Sequence, residues 1–104
     1  MKIQFNTGKN VSVSKELNAL FTSLMSQELI RFSDHITRLE VHLSDEDSYK
    51  DGQNDKRCMI EARIEGKQPI AVTDHANTHE QALFGAIEKL KTSLETIKGR
   101  FRNH

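Results

Sequence analysis

The basic residues near the end of the chain are those whose type and spacing point most directly to chemistry. Residues 86–104 contain five lysines and arginines, namely Lys89, Lys91, Lys98, Arg100 and Arg102. Such side chains neutralise RNA phosphates and release the counterions condensed around them. At about 100° per residue, Lys91, Lys98 and Arg102 share one flank of a helix. Lys89 and Arg100 share the other flank, so the spacing favours two basic rows that a polyanion could contact.

The same residues have a purely structural interpretation. Cations near a helix C-terminus interact favourably with the helix dipole and can hydrogen-bond the terminal carbonyls. Glu88 and Glu95 also lie three and four residues from Lys91, which is the spacing of ordinary intrahelical ion pairs. Charge alone leaves both interpretations open.

The charges are distributed unevenly, although the formal net charge of the chain is zero. Residues 34–55 hold two basic and seven acidic residues, whereas residues 78–104 hold five basic and three acidic residues. Attraction to a polyanion depends on the local potential as well as on the total charge. Overall neutrality therefore does not exclude binding to RNA.

Three other groups of residues could do chemistry, and each has a simpler interpretation. An EF-hand loop starting at Asp47 needs an oxygen ligand where Tyr49 stands and a glutamate where Cys58 stands. His75 and His79 are four residues apart, but no third residue has the spacing of a zinc ligand. Cys58 lies on the apolar side of a predicted strand and is expected to be a small buried hydrophobe.

Length and composition indicate one ordinary domain that spans residues 1–104. The chain is 36% hydrophobic and 29% charged, which is typical of globular proteins. A single cysteine fits a reducing compartment, and no apolar segment suits a signal peptide or a membrane span. We therefore expect a cytoplasmic protein without a membrane partner. Because no catalytic set or glycine-rich phosphate loop stands out, we also expect no enzyme activity, metal, cofactor or small-molecule substrate.

The first third of the chain predicts a short strand and an amphipathic helix. Residues 2–5 alternate between polar and apolar, which is typical of a strand. Ser12 or Ser14 can cap the helix that follows, and this helix is expected to reach Arg31 or Phe32. Its apolar stripe is formed by Leu17, Leu20, Phe21, Leu24 and Met25.

From Ile36 onward the hydrophobic period changes to two, which predicts three further strands. The residues expected to face the core are Leu39, Val41 and Leu43 in the second strand, Cys58, Ile60, Ala62 and Ile64 in the third, and Ile70 and Val72 in the fourth. Pro69 at the start of the fourth strand suggests a sheet edge. A last helix begins after a cap at Asn77 or Thr78. Its stripe comprises Leu83, Ala86, Ile87, Leu90, Leu94, Ile97 and Phe101.

The predicted order of elements is β-α-β-β-β-α. Each helix has one apolar stripe, and each long strand has one apolar face. The economical assembly is an α+β fold in which both helices pack on one face of a four-stranded mixed sheet, an arrangement similar to that of double-stranded-RNA-binding domains. The first strand can lie parallel to the second through a right-handed crossover, and the last three strands form an antiparallel meander.

Several stretches resemble one known family. "NTGKNVSVSKEL" (6–17) resembles the first turn and helix start of the bacterial ribosome hibernation-promoting factors and ribosome-associated inhibitors, also called sigma-54 modulation proteins. "RFSDHITRLEVHL" (31–43) resembles the segment that leads into the family's second strand. "ALFGAIEKLKTSL" (82–94) and "IKGRFRNH" (97–104) resemble its second helix and basic tail. The resemblance covers nearly the whole chain.

The resemblance implies a non-enzymatic, ribosome-binding protein of the short form, which has no C-terminal dimerisation domain. Members bind the small ribosomal subunit near the decoding region and the tRNA sites, and they inhibit translation in stress or stationary phase. Lys89 matches the lysine of the family's second helix. Lys98, Arg100 and Arg102 match the basic residues beyond it, so the implied partner is ribosomal RNA.

Two further basic residues lie on the predicted outer face of the sheet. Arg57 and Arg63 alternate with the inward residues of the third strand, where they could add RNA contacts. Pairing across strands with Glu40 or Glu61 is the alternative interpretation.

The chain departs from the family pattern in ways that motivate a second hypothesis. Thr92 and Ser93 stand where members often carry a basic residue and a glutamine, and residues 17–27 are nearly uncharged where members often carry lysines. The loop 44–55 is strongly acidic. These features are compatible with a diverged member that acts as a protein–protein interaction module.

Overall fold

The computed structural model describes residues 1–8, 11–46 and 55–102, and for residues 98–102 it describes the helix backbone. The elements are β1 (Lys2–Thr7), α1 (Lys15–Glu28), a 3-10 turn (Ile30–Phe32), β2 (Ile36–Asp45), β3 (Lys56–Ile64), β4 (Ile70–Ala76) and α2 (His79–Arg102). The strands form one sheet in the order β1-β2-β3-β4, in which β1 pairs with β2 in parallel and the other pairs are antiparallel. The predicted β-α-β-β-β-α order and mixed sheet are confirmed.

One face of the sheet carries the core. Every residue predicted to point inward from β2 and β3 is at most 5% exposed and packs with buried residues of both helices. Ile36 is also buried although it lies three residues before Leu39, because a register shift between Ile36 and Arg38 returns the strand to the same face. The opposite face, called the open face below, carries the alternate residues of each strand.

Helix α1 begins as predicted, but it ends earlier than predicted and buries fewer residues of its apolar stripe. The Ser14 hydroxyl accepts a hydrogen bond from the Leu17 amide at 3.1 Å, and the α-helix ends at Glu28 before the 3-10 turn. The prediction that Leu20 lies in the core is wrong, because its side chain is 57% exposed. The buried side of α1 is centred on Phe21 and Met25, which are rotated by about 100° and 140° from Leu20.

Strand β4 forms an edge of the sheet, as Pro69 suggested, and runs from Ile70 to Ala76. Gly66, at a φ of 74°, makes the tight turn that precedes it. Asp74 lies opposite Cys58 in the register, so this carboxylate is on the core-facing side of an edge strand. A charged residue in that position hinders the addition of a further strand.

Helix α2 is long, and its first turns are fixed by a cap. The Thr78 hydroxyl accepts a hydrogen bond from the Gln81 amide at 3.1 Å, which confirms the predicted cap at Thr78. The predicted stripe is buried from Leu83 to Leu94, and Ile97 is partly buried against the core. The side chain of Phe101 lies outside the described residues.

Gly85 allows α2 to lie close to β4. A Cβ atom at this position would lie 1.6 Å from the Asp74 Oδ2 atom and 2.6 Å from its Cγ atom. Both distances are shorter than van der Waals contact, so the Asp74 carboxylate occupies the space that a larger residue would need. The glycine therefore leaves room for this carboxylate, which would have to shift if residue 85 carried a Cβ atom.

Replacement of Gly85 by alanine should destabilise the protein. Alanine normally favours a helix interior by about 1 kcal/mol relative to glycine, but here Asp74 must move, at a cost of about 1–3 kcal/mol for overpacking. In the Asp74→Ala background the obstacle is removed, so Gly85→Ala should become neutral or stabilising. Urea denaturation of the wild type, both single variants and the double variant measures this coupling. Additive effects of the two substitutions would contradict the assignment.

Cys58 is fully buried in β3, as the alternation predicted. Burial raises the pKa of its thiol to about 12, and the nearby Asp74 carboxylate acts in the same direction. In the unfolded chain the thiol ionises near its ordinary pKa of about 8.5. Between these two pH values the unfolded state alone releases the proton, so stability is lost as the pH rises through this range.

Alkaline titration should reveal this proton linkage. The free energy of unfolding of the wild type should fall by at most about 1.4 kcal/mol per pH unit from this group above about pH 9. The Cys58→Ala variant removes the thiol and should show a shallower fall over the same range. Urea denaturation at several alkaline pH values compares the two proteins. Parallel curves for the two proteins would be inconsistent with a buried thiol of raised pKa.

Candidate nucleic-acid interface

The two basic flanks of α2 meet different neighbours. Lys91 faces α1, where its Nζ atom lies 3.2 Å from the Glu28 Oε1 atom. The same Nζ atom lies 3.6 Å from the Oε1 atom of Glu88, which precedes it in α2. The hydrogen bond with Glu28 raises the pKa of Lys91 above its ordinary value. This contribution of the lysine to stability is present at neutral pH and is lost as strongly alkaline pH deprotonates its ammonium group.

Lys89 lies on the other flank of α2 and reaches the edge of the sheet. Its Nζ atom donates a hydrogen bond to the Thr73 carbonyl oxygen at 2.7 Å and lies 3.2 Å from the Asp74 Oδ1 atom. The side chain nevertheless remains 55% exposed. Lys89 thus covers part of an edge strand, and much of its surface is still available to another ligand.

The last turns of α2 carry the densest basic sequence. The helix backbone includes Lys98, Arg100 and Arg102, whose side chains lie outside what the structure describes. By helical spacing, Lys98 and Arg102 continue the flank of Lys91, and Arg100 continues the flank of Lys89. Glu95, which could have paired with Lys91, instead binds Arg31 of the 3-10 turn.

Arg57 and Arg63 lie on the open face of the sheet, which is the face opposite to α2. The Arg57 Nε atom lies 3.5 Å from the Glu46 Oε1 atom, and the Arg63 Nε atom lies 3.7 Å from the Glu61 Oε1 atom. The structure therefore does not bring these two arginines together with the basic flanks of α2. The predicted set is divided between two sides of the molecule.

A basic row on the open face was missed by the sequence reasoning. The strand register places Lys2 opposite Arg38, and Arg38 opposite Arg63. The Arg38 guanidinium donates hydrogen bonds to Gln4 and to Glu40, the latter at 3.0 Å. Only the pairing of three strands brings these residues into one row, so no local pattern in the sequence could have identified it.

The topology places the acidic hairpin base and the basic helix end at opposite ends of the molecule. Because α2 runs back over the sheet from the end of β4, its C-terminal turns lie beyond the ends of the strands that carry Lys2 and Arg63. Asp45, Glu46 and Asp55 lie at the far end, where β2 leads into β3. The longest dimension of the molecule is 51 Å, so these groups are well separated relative to a Debye length of about 8 Å.

Other possible sites within the described residues show structural partners. The His75 Nε2 atom lies 3.4 Å from the Glu46 Oε1 atom, and the His79 Nε2 atom lies 3.2 Å from the Ser44 carbonyl oxygen. His75 belongs to β4, and His79 is the first residue of α2. Among residues 1–8, 11–46 and 55–102, no three histidine, cysteine or acidic side chains group as metal ligands. The EF-hand interpretation at Asp47 lies outside the described residues.

Neither helix, as far as the chain is described, is both long and apolar enough to cross a membrane.

Comparisons with known proteins agree with the sequence resemblance. A family model described as "Sigma 54 modulation protein / S30EA ribosomal protein" matches residues 6–102. A structure of a ribosomal subunit interface protein from Coxiella burnetii is similar, with a TM-score of 0.70 at 20% identity, over 95% of this chain and 99% of that one. The N-terminal domain of Thermus thermophilus Protein Y is also similar, with a TM-score of 0.73 at 17% identity, over 93% and 99% of the two chains. No curated protein matches the chain.

Proposed function

Since the chain belongs to the sigma 54 modulation protein / S30EA ribosomal protein family, we propose that it inhibits translation by binding the small ribosomal subunit near the decoding region and the tRNA sites. The family is one of ribosome-associated hibernation factors rather than of enzymes. Binding under stress or in stationary phase would keep idle ribosomes inactive in the cytoplasm. The family match over residues 6–102 is the observation that carries this proposal.

The proposed contact surface is the exposed side of α2 towards its C-terminal end. Lys98, Arg100 and Arg102 lie on turns that extend past the end of α1, and Lys89 and Lys91 lead up to them. A helix that projects from the core can reach into folded RNA, where phosphates and 2′-hydroxyls are recognised mostly by shape and charge. On the open face, Arg57 and Arg63 would contact a separate segment of ribosomal RNA.

The ion pairs of Lys89 and Lys91 are compatible with this role. Ion pairs near the protein surface contribute little to stability, because water screens the charges and ordering the side chains costs entropy. A phosphate group can therefore replace or share the carboxylate partner at little cost. The pairs keep both lysines near the surface of α2, so less side-chain entropy is lost when RNA binds.

A second candidate function is that of a protein–protein interaction module. It is favoured by the observation that Lys89, Lys91, Arg57 and Arg63 each lie within 4 Å of a carboxylate. Such cations contribute less net positive potential than their number suggests. Recovery of the chain on purified small subunits, with no need for another protein, would count against this alternative.

Charge reversal on the proposed surface should weaken ribosome binding. The substitutions Lys98→Glu and Arg102→Glu, alone and with Lys91→Glu, should release the protein from the small subunit in sucrose-gradient co-sedimentation at low salt. Each lost phosphate contact should also reduce the slope of log affinity against log salt by about one. The measurement is the fraction of protein that sediments with the subunit over a series of salt concentrations.

Lys15→Glu is the matched control, because Lys15 is an exposed cation at the opposite end of α1. This variant should sediment like the wild type, and circular dichroism should show that all variants retain the fold. Wild-type protein that stays at the top of the gradient at low salt would refute ribosome binding. Equal losses for the control and the α2 variants would refute the assigned surface.

A further inference from the structure

One exposed large apolar side chain belongs to α1 and another belongs to α2. Leu20 is 57% exposed and Phe84 is 41% exposed, although most other large apolar side chains of the two helices are buried or packed on the core. Phe84 precedes Lys91 by two helical turns and so lies within about 20° of it around α2. Because Lys91 contacts Glu28 of α1, this side of α2 faces α1.

The two helices run in the same direction, so the exposed residues lie at similar heights. Strands β1 and β4 are parallel to each other, since β1 pairs with β2 in parallel and two antiparallel steps follow. Each helix returns over the same face of the sheet from the end of one of these strands. Starting from the contact between Glu28 and Lys91, Leu20 lies about 12 Å back along α1, and Phe84 about 10–11 Å back along α2.

By helical spacing, Leu24 lies about 40° and Leu20 about 80° from Glu28 around α1. The surface between the helices that carries Leu20, Leu24 and Phe84 is called the interhelical groove, and acidic residues lie along it. Leu24 is partly buried and contributes to the floor. The glutamates spaced by helical turns from these residues are Glu16, Glu28, Glu80 and Glu88. Among the described side chains of these two facing surfaces, Lys91 is the basic one, and it is bound by Glu28 and Glu88.

We propose that the interhelical groove binds a basic amphipathic segment of a partner protein. Leucine-like side chains of the segment would cover Leu20, Leu24 and Phe84, and its lysines or arginines would meet the surrounding glutamates. The choice of occupant follows from charge complementarity, because the four glutamates outnumber Lys91 and leave this surface with a net negative charge that attracts cations and repels phosphates. RNA would therefore contact the projecting end of α2, whereas a basic protein segment would occupy the groove near its start.

The probe for this proposal is a dye-labelled synthetic helix made only of leucine and lysine, with leucine along one face. Fluorescence anisotropy with the full chain should show binding that weakens as salt increases. Amide chemical-shift changes should map to α1 and to the first half of α2. A peptide of the same pattern with glutamate in place of lysine should not bind.

Substitutions distinguish specific binding in the interhelical groove from nonspecific binding of the peptide to exposed apolar side chains. Leu20→Ser and Phe84→Ser should each weaken peptide binding by about tenfold or more, as expected for central apolar contacts. Ile30→Ser is the matched control, because Ile30 is 65% exposed on the 3-10 turn and does not line the groove. Glu80→Lys combined with Glu88→Lys should abolish the salt dependence, whereas Glu65→Lys, in the turn before β4, should have little effect.

Several outcomes would overturn the proposal. These are equal binding of the glutamate peptide, shift changes confined to the open face, or an equal loss of affinity with Ile30→Ser. Displacement of the peptide by a short RNA duplex would assign the groove to nucleic acid instead. Sedimentation equilibrium that shows a dimer, lost with Phe84→Ser, would assign it to a second copy of the chain. Each result is independent of whether the protein sediments with ribosomal subunits.

Discussion

The close approach of α2 to the edge strand β4 is the contact on which the placement of the functional surfaces depends. Gly85 leaves room for the Asp74 carboxylate, and that carboxylate holds Lys89 beside the Thr73 carbonyl group. Together with the buried stripe of α2, these contacts fix the rotation of the helix about its own axis. It also blocks the exposed edge of the sheet, because an inward-pointing charge and a covering lysine discourage strand addition.

Once this rotation is fixed, the two flanks of α2 acquire different surroundings. The flank with Lys89 faces the edge of the sheet, and the flank with Lys91 faces α1. Because α2 is ten residues longer than α1, its last turns extend beyond the shared core, where the basic residues are densest. A neutral chain can therefore present a locally cationic end, since the carboxylates at the base of the β2–β3 hairpin lie at the other end.

The sequence predicted the parts of this structure that depend on periodicity. Alternation identified the inward residues of β2 and β3, and a 3.6-residue period identified the stripe of α2 from Leu83 to Leu94. Features that depend on packing between elements escaped prediction. The spacing of apolar residues does not show how wide the buried part of a helical stripe is, so the sequence wrongly predicted that Leu20 lies in the core. Likewise, neither the Lys2–Arg38–Arg63 row nor the contact of Gly85 with Asp74 has a local signature, because strand pairing and helix docking create both.

The ion pairs of Lys91 connect the proposed RNA-binding end of α2 with the interhelical groove. Glu28 and Glu88 hold Lys91 at the boundary between the interhelical groove and the projecting end of α2. A cation bound to the groove's carboxylates would compete with Lys91 for them and release its ammonium group towards the solvent. Phosphate bound to Lys91 would likewise free those carboxylates for a basic segment. Because either ligand separates Lys91 from its carboxylates, the second ligand binds without that cost, and ligands at the two surfaces should support each other's binding through this one lysine.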